Sequence, residues 1–114
     1  MRRKSFEEMR CPIARGLDLV GEGWSMLILR DALRGRRRFE EFQKGLPITP
    51  TTLTRKLDDL VRAGMLERRR YSEHPPRDEY VPTAQGEDFR PVLRALYSWG
   101  EKHAPPQKKP GSRR

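Results

Sequence analysis

The feature that most limits what this chain of 114 residues can fold into is a predicted helix near the centre of the sequence, with clear start and stop residues. The segment reads TPTTLTRKLDDLVRAG and begins at Thr49. Thr49 can cap the helix, Pro50 suits its first turn because it lacks a backbone N–H, and Gly64 can end it. At about 100° per residue the helix has an apolar side and a polar side. The apolar side holds Leu53, Leu57, Leu60 and Val61, and the outer side holds Thr51, Arg55, Asp58 and Arg62.

A short helix is expected just before this one. Phe39, Phe42 and Leu46 recur at helical spacing, and Gly45 and Pro47 end the pattern. The residues LPIT then connect two helices, which is the arrangement of a helix-turn-helix. The second of the two helices is therefore predicted to be the recognition helix, the one that enters a DNA groove.

Two extended runs follow the recognition helix, at 65–72 and 79–83. The segment between them includes Pro75 and Pro76, which cannot lie inside a sheet ladder because proline has no N–H to donate. We therefore place both prolines at the tip of a β-hairpin. A hairpin in this position is a wing, so the predicted fold class is mainly α with a small β-wing (α+β), a winged helix-turn-helix.

Further helices are predicted at both ends of this unit. Pro12 can begin a helix over about 12–20, and a second apolar stripe favours a helix over about 24–34. Thr83 can cap a last helix, which Pro91 would kink or restart. The helix-turn-helix is thus expected to lie between flanking helices.

The charge of the chain is concentrated at its ends. A domain at 11–103 is preceded by a basic N-terminal arm at 1–10 and followed by a basic tail at 104–114, which we expect to be disordered. The chain has 25 Lys and Arg against 16 Asp and Glu, and its net charge of +9 is typical of nucleic-acid-binding proteins. Arg2, Arg3 and Lys4 supply three of these charges, and Lys108, Lys109, Arg113 and Arg114 supply four, which leaves +2 for residues 6–103. A binding face in the domain must therefore come from local clusters.

Cysteine content and hydropathy indicate in which cellular compartment the protein is expected. Cys11 is the only cysteine, so no internal disulfide can form and a reducing cytoplasm is expected. No apolar run approaches the roughly 18 residues of a membrane span, and no signal-peptide pattern begins the chain. No metal or other cofactor is expected. These features predict a cytoplasmic protein without a membrane partner.

Three motifs, in order along the chain, carry a family resemblance. They are CPIARGLDLVGEGWSMLILRDAL, RRFEEFQKGLPITPTTLTRKLDDLVRAGMLERR and YSEHPPRDEYVPTAQGEDFRPVLRALYSWGEKH. With them the sequence resembles the HxlR-type winged helix-turn-helix transcriptional regulators of bacteria, in the MarR-like winged-helix superfamily, over about 10–103. It departs from the family pattern at GEGW, where a lysine commonly precedes the tryptophan, and at Pro82, where an apolar strand residue is usual.

The resemblance implies a homodimer that binds a palindromic operator in double-stranded DNA. Its subunits would meet through the first and last helices. The resemblance does not distinguish repression from activation, and we expect a repressor. The implied dimer interface consists of Ile13, Leu17, Phe89, Val92, Leu93, Leu96, Tyr97 and Trp99.

The DNA contacts are expected on the recognition helix, on the wing and just before the short helix. Recognition helices read bases with their N-terminal half, and Arg55 in that half can donate two hydrogen bonds to guanine. The expected helix contacts are Thr49, Thr51, Thr52, Thr54, Arg55 and Lys56. The expected wing and backbone contacts are Arg36, Arg37, Arg38, Arg68, Arg69, Arg70, His74 and Arg77. Successive strand residues point to opposite sides, so the three arginines at 68–70 cannot all face DNA. The alternative for Arg69 is an ion pair with a helix acid.

The thiol of Cys11 has two interpretations. Some HxlR-type regulators sense oxidants or electrophiles through a cysteine in this CP position, and the resemblance gives Cys11 that role. Arg10 and a helix N-terminus would both favour the reactive thiolate. The alternative is that Cys11 is a small buried apolar residue. Any disulfide would join two subunits or a small thiol.

The sequence offers little support for an enzyme. His74 and His103 have no nucleophile or metal ligand nearby in the sequence, and the chain has no glycine-rich phosphate loop or paired-carboxylate signature. An enzyme is therefore not expected. A winged helix that binds another protein, or RNA, without operator specificity is the alternative to a DNA-binding regulator.

Overall fold

The computed structural model describes residues 10–106, so nearly all of the predicted basic arm at 1–10 and most of the tail at 104–114 lie outside the described residues. Within 10–106 the chain forms six helices and one two-stranded antiparallel sheet, which confirms the winged helix-turn-helix fold. None of these helices has the length and apolar character needed to cross a membrane. The elements are α1 Pro12–Val20, α2 Gly23–Leu33, α3 Phe39–Gly45, α4 Pro50–Arg62, β1 Leu66–Glu73, β2 Pro76–Pro82, α5 Ala84–Glu87 and α6 Arg90–His103.

The recognition helix α4 has the ends that its sequence predicts. Thr49 Oγ1 accepts the backbone N–H of Thr52 at 3.2 Å, and Pro50 is the first helical residue. Gly64 follows the helix with a φ of 80°, a conformation that costs glycine little because it has no Cβ. These local interactions determine where α4 begins and ends.

One core joins the helix-turn-helix to α2 and to the base of the wing. Leu53 and Leu57 of α4 are fully buried, as are Ile28 of α2 and Phe42 of α3. Each fully buried apolar side chain of this size contributes about 1.5–3 kcal/mol. Burial of this apolar side leaves the opposite side of α4 in solvent, as the helical wheel predicts.

The wing, the hairpin of β1 and β2, is longer than predicted. β2 begins at Pro76, three residues before its predicted start, because His74 and Pro75 form a two-residue turn. The placement of Pro76 at the tip is therefore wrong: it is the first residue of β2, a position that proline tolerates in a strand. Ser72 Oγ donates a hydrogen bond to the Pro75 carbonyl oxygen at 2.8 Å. Pro82 is the last residue of β2, so its missing N–H ends the ladder and does not interrupt it.

The predicted last helix is divided into α5 and α6. Thr83 caps α5, since its Oγ1 accepts the N–H of Gly86 at 3.1 Å. Pro91 lies in the first turn of α6, where its missing N–H needs no partner, so the proline restarts the helix and does not kink it. No residue of α6 is buried in the single chain. An apolar side of this helix is therefore left uncovered.

Candidate nucleic-acid interface

The leading half of α4 presents polar side chains to solvent. Thr51, Thr54 and Arg55 are exposed, and Arg55 forms no ion pair within residues 10–106. Thr49 and Thr52 are hydrogen-bonded through their hydroxyl groups at 3.0 Å, in addition to the capping bond. Thr51, Thr54 and Arg55 are thus accessible to a ligand, whereas Thr49 and Thr52 stabilise the start of the helix.

The acids of α4 are neutralised by nearby arginines. Asp59 pairs with Arg62 at 2.6 Å, and Asp58 pairs with Arg68 of β1 at 2.6 Å. Exposed pairs of this kind contribute little to stability, but they cancel charge locally. Repulsion between these carboxylates and a phosphate backbone is reduced accordingly.

Lys56 is directed away from the outer side of α4. Its Nζ lies 2.6 Å from a carboxylate oxygen of Glu22, and its side chain is only 19% exposed. The Glu22 carboxylate also accepts the backbone N–H of Trp24 at 2.9 Å and so caps α2. Lys56 therefore connects the recognition helix to α2. The role of Glu22 was not predicted, because Glu22 and Lys56 are far apart in sequence. The sequence had indicated only that GEGW departs from the family pattern.

The three arginines of β1 all have acidic partners. The guanidinium of Arg68 pairs with Asp58 of α4 and lies over the Tyr80 ring. An ion pair with a helix acid was the alternative considered for Arg69, but in the structure it is Arg68 that forms such a pair. A hydrogen bond from Arg70 to Asp78 raises the pKa of that guanidinium. The pairs are Arg68–Asp58 at 2.6 Å, Arg69–Glu67 at 3.2 Å, Arg70–Asp78 at 2.8 Å and Arg70–Glu73 at 3.3 Å.

The tip of the wing carries a cation without an acidic partner. Arg77 and His74 are both exposed there. Arg77 forms no ion pair in the part of the chain that the structure describes. Its guanidinium thus differs from those of the β1 arginines in being free to contact a phosphate or a narrow minor groove.

Two of the arginines before α3 are used to hold the fold. Arg36 Nη1 donates a hydrogen bond to the Glu41 carbonyl oxygen at 2.6 Å, and Arg37 Nη1 donates to the Ala32 carbonyl oxygen at 2.8 Å. The Ala32 carbonyl oxygen lies in the last turn of α2 and also accepts the backbone N–H of Gly35 at 3.0 Å. Contact with DNA would require these guanidinium groups to give up or share these bonds.

Arg38 differs from its two neighbours. It is exposed, and its guanidinium lies 4.3 Å from the centre of the Tyr71 ring on β1. This cation–π contact leaves the N–H groups at the edge of the guanidinium available for phosphate. Tyr71 was not predicted to take part in the site, because its proximity depends on how the wing packs against the chain before α3.

The carboxylate of Glu41 organises the same segment. It accepts the backbone N–H of Arg37 at 2.7 Å and that of Arg38 at 3.0 Å. These two hydrogen bonds stabilise the charged form, so they lower the pKa of Glu41 below its ordinary value. Glu41 therefore sets the backbone from which Arg38 projects.

The implied dimer residues form two groups. Phe89 and Leu93 are half-buried and pack against the core of their own chain. Ile13 is 75% exposed and Trp99 is 62% exposed, which is far more than large apolar side chains usually show in a monomer. The exposed members of the set are Ile13, Leu17, Val92, Leu96, Tyr97 and Trp99.

Cys11 stands directly before α1 as its N-cap residue. It is exposed, in contrast to the buried position that the alternative interpretation required. Its sulfur is therefore accessible to reagents in the single chain. Across residues 10–106 no cluster of His, Cys, Asp and Glu is suited to hold a metal ion.

Comparison with known sequences relates this chain to a family of regulators. Residues 19–108 match the HxlR-like helix-turn-helix family. The HTH-type transcriptional regulator Rv3095 of Mycobacterium tuberculosis is 41% identical over 93 residues, which cover 82% of this chain and 59% of that protein. The chain thus spans less than two thirds of this relative. YdeP of Bacillus subtilis, also an HTH-type transcriptional regulator, is 38% identical over 82% of this chain and 73% of its own length.

Solved structures show the same fold. The transcription factor structure PA1607 superposes with a TM-score of 0.82 at 40% identity, over 93% of this chain and 75% of that one. PA1374 from Pseudomonas aeruginosa is 61% identical, with a TM-score of 0.65 over 82% of this chain and 64% of that one. The redox regulator HypR in its reduced form is 32% identical, with a TM-score of 0.75 over 81% and 92%.

Proposed function

Because the chain belongs to the HxlR-like helix-turn-helix family of transcriptional regulators, we propose that it binds a palindromic operator in double-stranded DNA as a homodimer and represses transcription there. The observation that supports this most directly is the pattern of neutralised and free charge. Most basic groups near α4 and the wing have acidic or backbone partners, whereas Arg55 and Arg77 have none among the described residues. These two cations lie on the elements that enter DNA grooves in winged helices.

The two elements contribute differently to binding. The major groove is about 12 Å wide and admits an α-helix, so Arg55 and the exposed threonines of α4 are proposed to contact base edges. Arg77 at the wing tip is proposed to contact phosphate or the minor groove beside it. Base contacts supply specificity, and phosphate contacts supply salt-sensitive affinity.

A homodimer is supported by the exposed apolar side chains of α1 and α6. Large exposed apolar side chains in such number commonly mark a protein interface, because association removes them from water. A two-fold axis at that interface would place two copies of α4 on successive turns of one DNA face, about 34–36 Å apart. A palindromic operator is the DNA counterpart of that symmetry.

Selection of bound duplexes from a random library, followed by a titration at several salt concentrations, tests the proposal. The expected result is a palindromic consensus whose affinity exceeds that of random duplex by at least about 10³-fold and falls steeply with salt. Binding without sequence preference, or without a steep dependence on salt, would contradict it. Preference for single-stranded or structured RNA in the same assay would favour the RNA-binding alternative.

We further propose that oxidation of Cys11 alters operator binding. The thiol is exposed at the N-terminus of α1, the helix that carries Ile13 in the proposed dimer interface. The similar protein HypR is named as a redox regulator in both a reduced and an oxidised form. Operator affinity should change after mild oxidation and recover after reduction. The Cys11→Ser variant should not respond, and an equal response in that variant would exclude the thiol as the sensor.

A further inference from the structure

Arg38 is an exposed arginine at the start of the helix-turn-helix, and its backbone is held from two sides. As the N-cap residue of α3, it donates its backbone N–H to the Glu41 carboxylate at 3.0 Å. The carbonyl oxygen of the preceding residue, Arg37, accepts the backbone N–H of Tyr80 on β2 at 2.7 Å. The point from which the Arg38 side chain projects is therefore fixed relative to both α3 and the wing.

Tyr71 lies at an irregularity in the ladder of the wing. Arg70 of β1 faces Asp78 of β2, and Ser72 faces Arg77. Tyr71 is thus an extra residue without a cross-strand partner, which is the pattern of a β-bulge. Bulges bend a strand and redirect side chains, and they recur beside functional sites. The direction of the Tyr71 side chain is set by this bulge and not by a cross-strand pair.

The ring of Tyr71 supports the Arg38 guanidinium. Its centre lies 4.3 Å from Cζ of Arg38, well within the roughly 6 Å of a cation–π contact. Arg38 forms no ion pair with any residue between 10 and 106. Unlike an acid, an aromatic ring restrains a guanidinium without using its hydrogen-bond donors. The arrangement therefore leaves a restrained cation whose N–H groups can still bind an anion.

We propose that Tyr71 is a positioning residue, whose ring holds Arg38 in place to bind one backbone phosphate of the operator in each half-site. Arginine and phosphate form charge-assisted, often bidentate hydrogen bonds. A long side chain that is already restrained loses less conformational freedom on binding, which raises affinity. The inference rests on the proposed operator binding and adds to it a contact in which the helix-turn-helix supplies the cation and the wing supplies its support.

The place of Arg38 in the fold favours a phosphate over a base as its partner. In a helix-turn-helix the second helix enters the groove, while the first helix crosses the DNA backbone. Arg38 caps α3, the first of these two helices, and is not part of α4. Its guanidinium is thus expected to meet the backbone beside the groove that α4 enters.

Operator duplexes in which one phosphate at a time is replaced by an uncharged methylphosphonate test the proposal. With the native protein, neutralising the phosphate that Arg38 contacts should weaken binding at least about fivefold. That penalty should be absent in Arg38→Gln, whose side chain carries no charge. Arg69→Gln removes a wing cation that is already paired with Glu67, so this matched control should retain the penalty.

Variants of Tyr71 test the positioning role. Tyr71→Leu should lower operator affinity about 2- to 10-fold per subunit, whereas Tyr71→Phe, which keeps the ring, should bind like the native protein. When Arg38→Gln is already present, Tyr71→Leu should have no further effect on affinity. A ring that only stabilised the fold would lower affinity independently of Arg38, and circular dichroism melting curves would show that loss of stability.

Two results would overturn the proposal while operator binding stands. One is a methylphosphonate penalty that is the same in the native protein and in Arg38→Gln at every phosphate. The other is a set of additive effects of Arg38→Gln and Tyr71→Leu on operator affinity. If the native protein selects no operator at all, the proposed function fails, and this inference fails with it.

Discussion

Individual side chains of the same type have different roles here according to their partners. Arg37 is held by a carbonyl oxygen of α2 and Arg68 by an acid of α4, whereas Arg55 projects freely from the recognition helix. A guanidinium that already has a partner must give up that partner, or share it, to bind phosphate or a base. The free groups are therefore the ones expected to carry most of the binding free energy per residue.

Replacement of Arg55 by alanine should weaken operator binding by roughly 5- to 150-fold, the equivalent of one bidentate pair with guanine. Binding to random duplex should fall much less, because only base reading is lost. Fluorescence anisotropy with both duplexes measures the difference. Arg62→Ala, at the other end of the same helix, is the matched control and should affect both duplexes by similar, small factors. Equal losses on both duplexes for Arg55→Ala would contradict base reading.

Replacement of Glu41 by glutamine should lower thermal stability in a way that depends on pH. The folded-state pKa of Glu41 is lowered by the N–H groups of Arg37 and Arg38, so its stabilising effect is present above the ordinary glutamate pKa of 4.5. That effect is lost as the pH falls through the lowered folded-state pKa. The difference in melting temperature between the two proteins should therefore be largest near neutral pH and shrink on acidification, with exposed Glu40→Gln as the control. A constant difference would contradict the assignment.

The wing combines a cross-strand ladder with a cationic tip. Arg69 and Arg70 are neutralised by acids on the wing itself, whereas the Arg68–Asp58 pair joins the hairpin to α4. The backbone N–H of Tyr80 on β2 also donates to the Arg37 carbonyl oxygen at 2.7 Å. The wing is therefore anchored at its base, and Arg77 at its tip is held out toward solvent.

Replacement of Arg77 by alanine should lower affinity for operator and random duplex alike. One phosphate contact per subunit would be lost, so the slope of log K against log salt should flatten by about 1 per subunit. Titrations at four or more salt concentrations give the slope. Arg69→Ala, a wing arginine already paired with Glu67, should leave the slope nearly unchanged. An unchanged slope in Arg77→Ala would remove the wing-tip contact from the proposal.

Gly86 marks the place where α5 packs against the start of β1. A Cβ there would overlap the backbone carbonyl oxygen of Met65, which cannot move without disturbing the core. Gly86→Ala should therefore lower the free energy of unfolding by about 1–3 kcal/mol, as overpacking does elsewhere. Chemical denaturation measures it. Gly23→Ala, where the added methyl group meets open space, should be neutral or slightly stabilising. Equal effects of the two changes would contradict the packing argument.

The single chain leaves several large apolar side chains exposed to solvent. Among residues 10–106, the large exposed apolar side chains lie on α1, α2 and α6, and none lies on α4. In the proposed function, the outer side of α4 faces DNA, while the exposed apolar groups of α1 and α6 face a second subunit. Because these are different surfaces, the proposed dimer could form and bind DNA at the same time.

Introducing glutamate at Ile13 and at Trp99 should convert the proposed dimer into a folded monomer. Both side chains are exposed in the single chain, so the substitutions cost little intramolecular packing, whereas a buried charge would destabilise the interface. Light scattering gives the mass, and circular dichroism reports the fold. Operator affinity should fall by about 10²- to 10⁴-fold as the two half-sites become independent. Gln43→Glu, which adds one charge outside α1 and α6, should remain dimeric. A double variant that stays dimeric would contradict this interface.

Local signals in the sequence predict where α4 begins and ends, whereas the sharing of charge among the elements depends on tertiary packing. The cap at Thr49 and the stop at Gly64 act within a few residues, so local rules of hydrogen bonding and backbone conformation predict them. The Lys56–Glu22 pair and the Arg68–Asp58 pair join separate elements. Such contacts depend on distances that exist only after the core has packed, and those distances leave Arg55 and Arg77 without an acidic partner among the described residues.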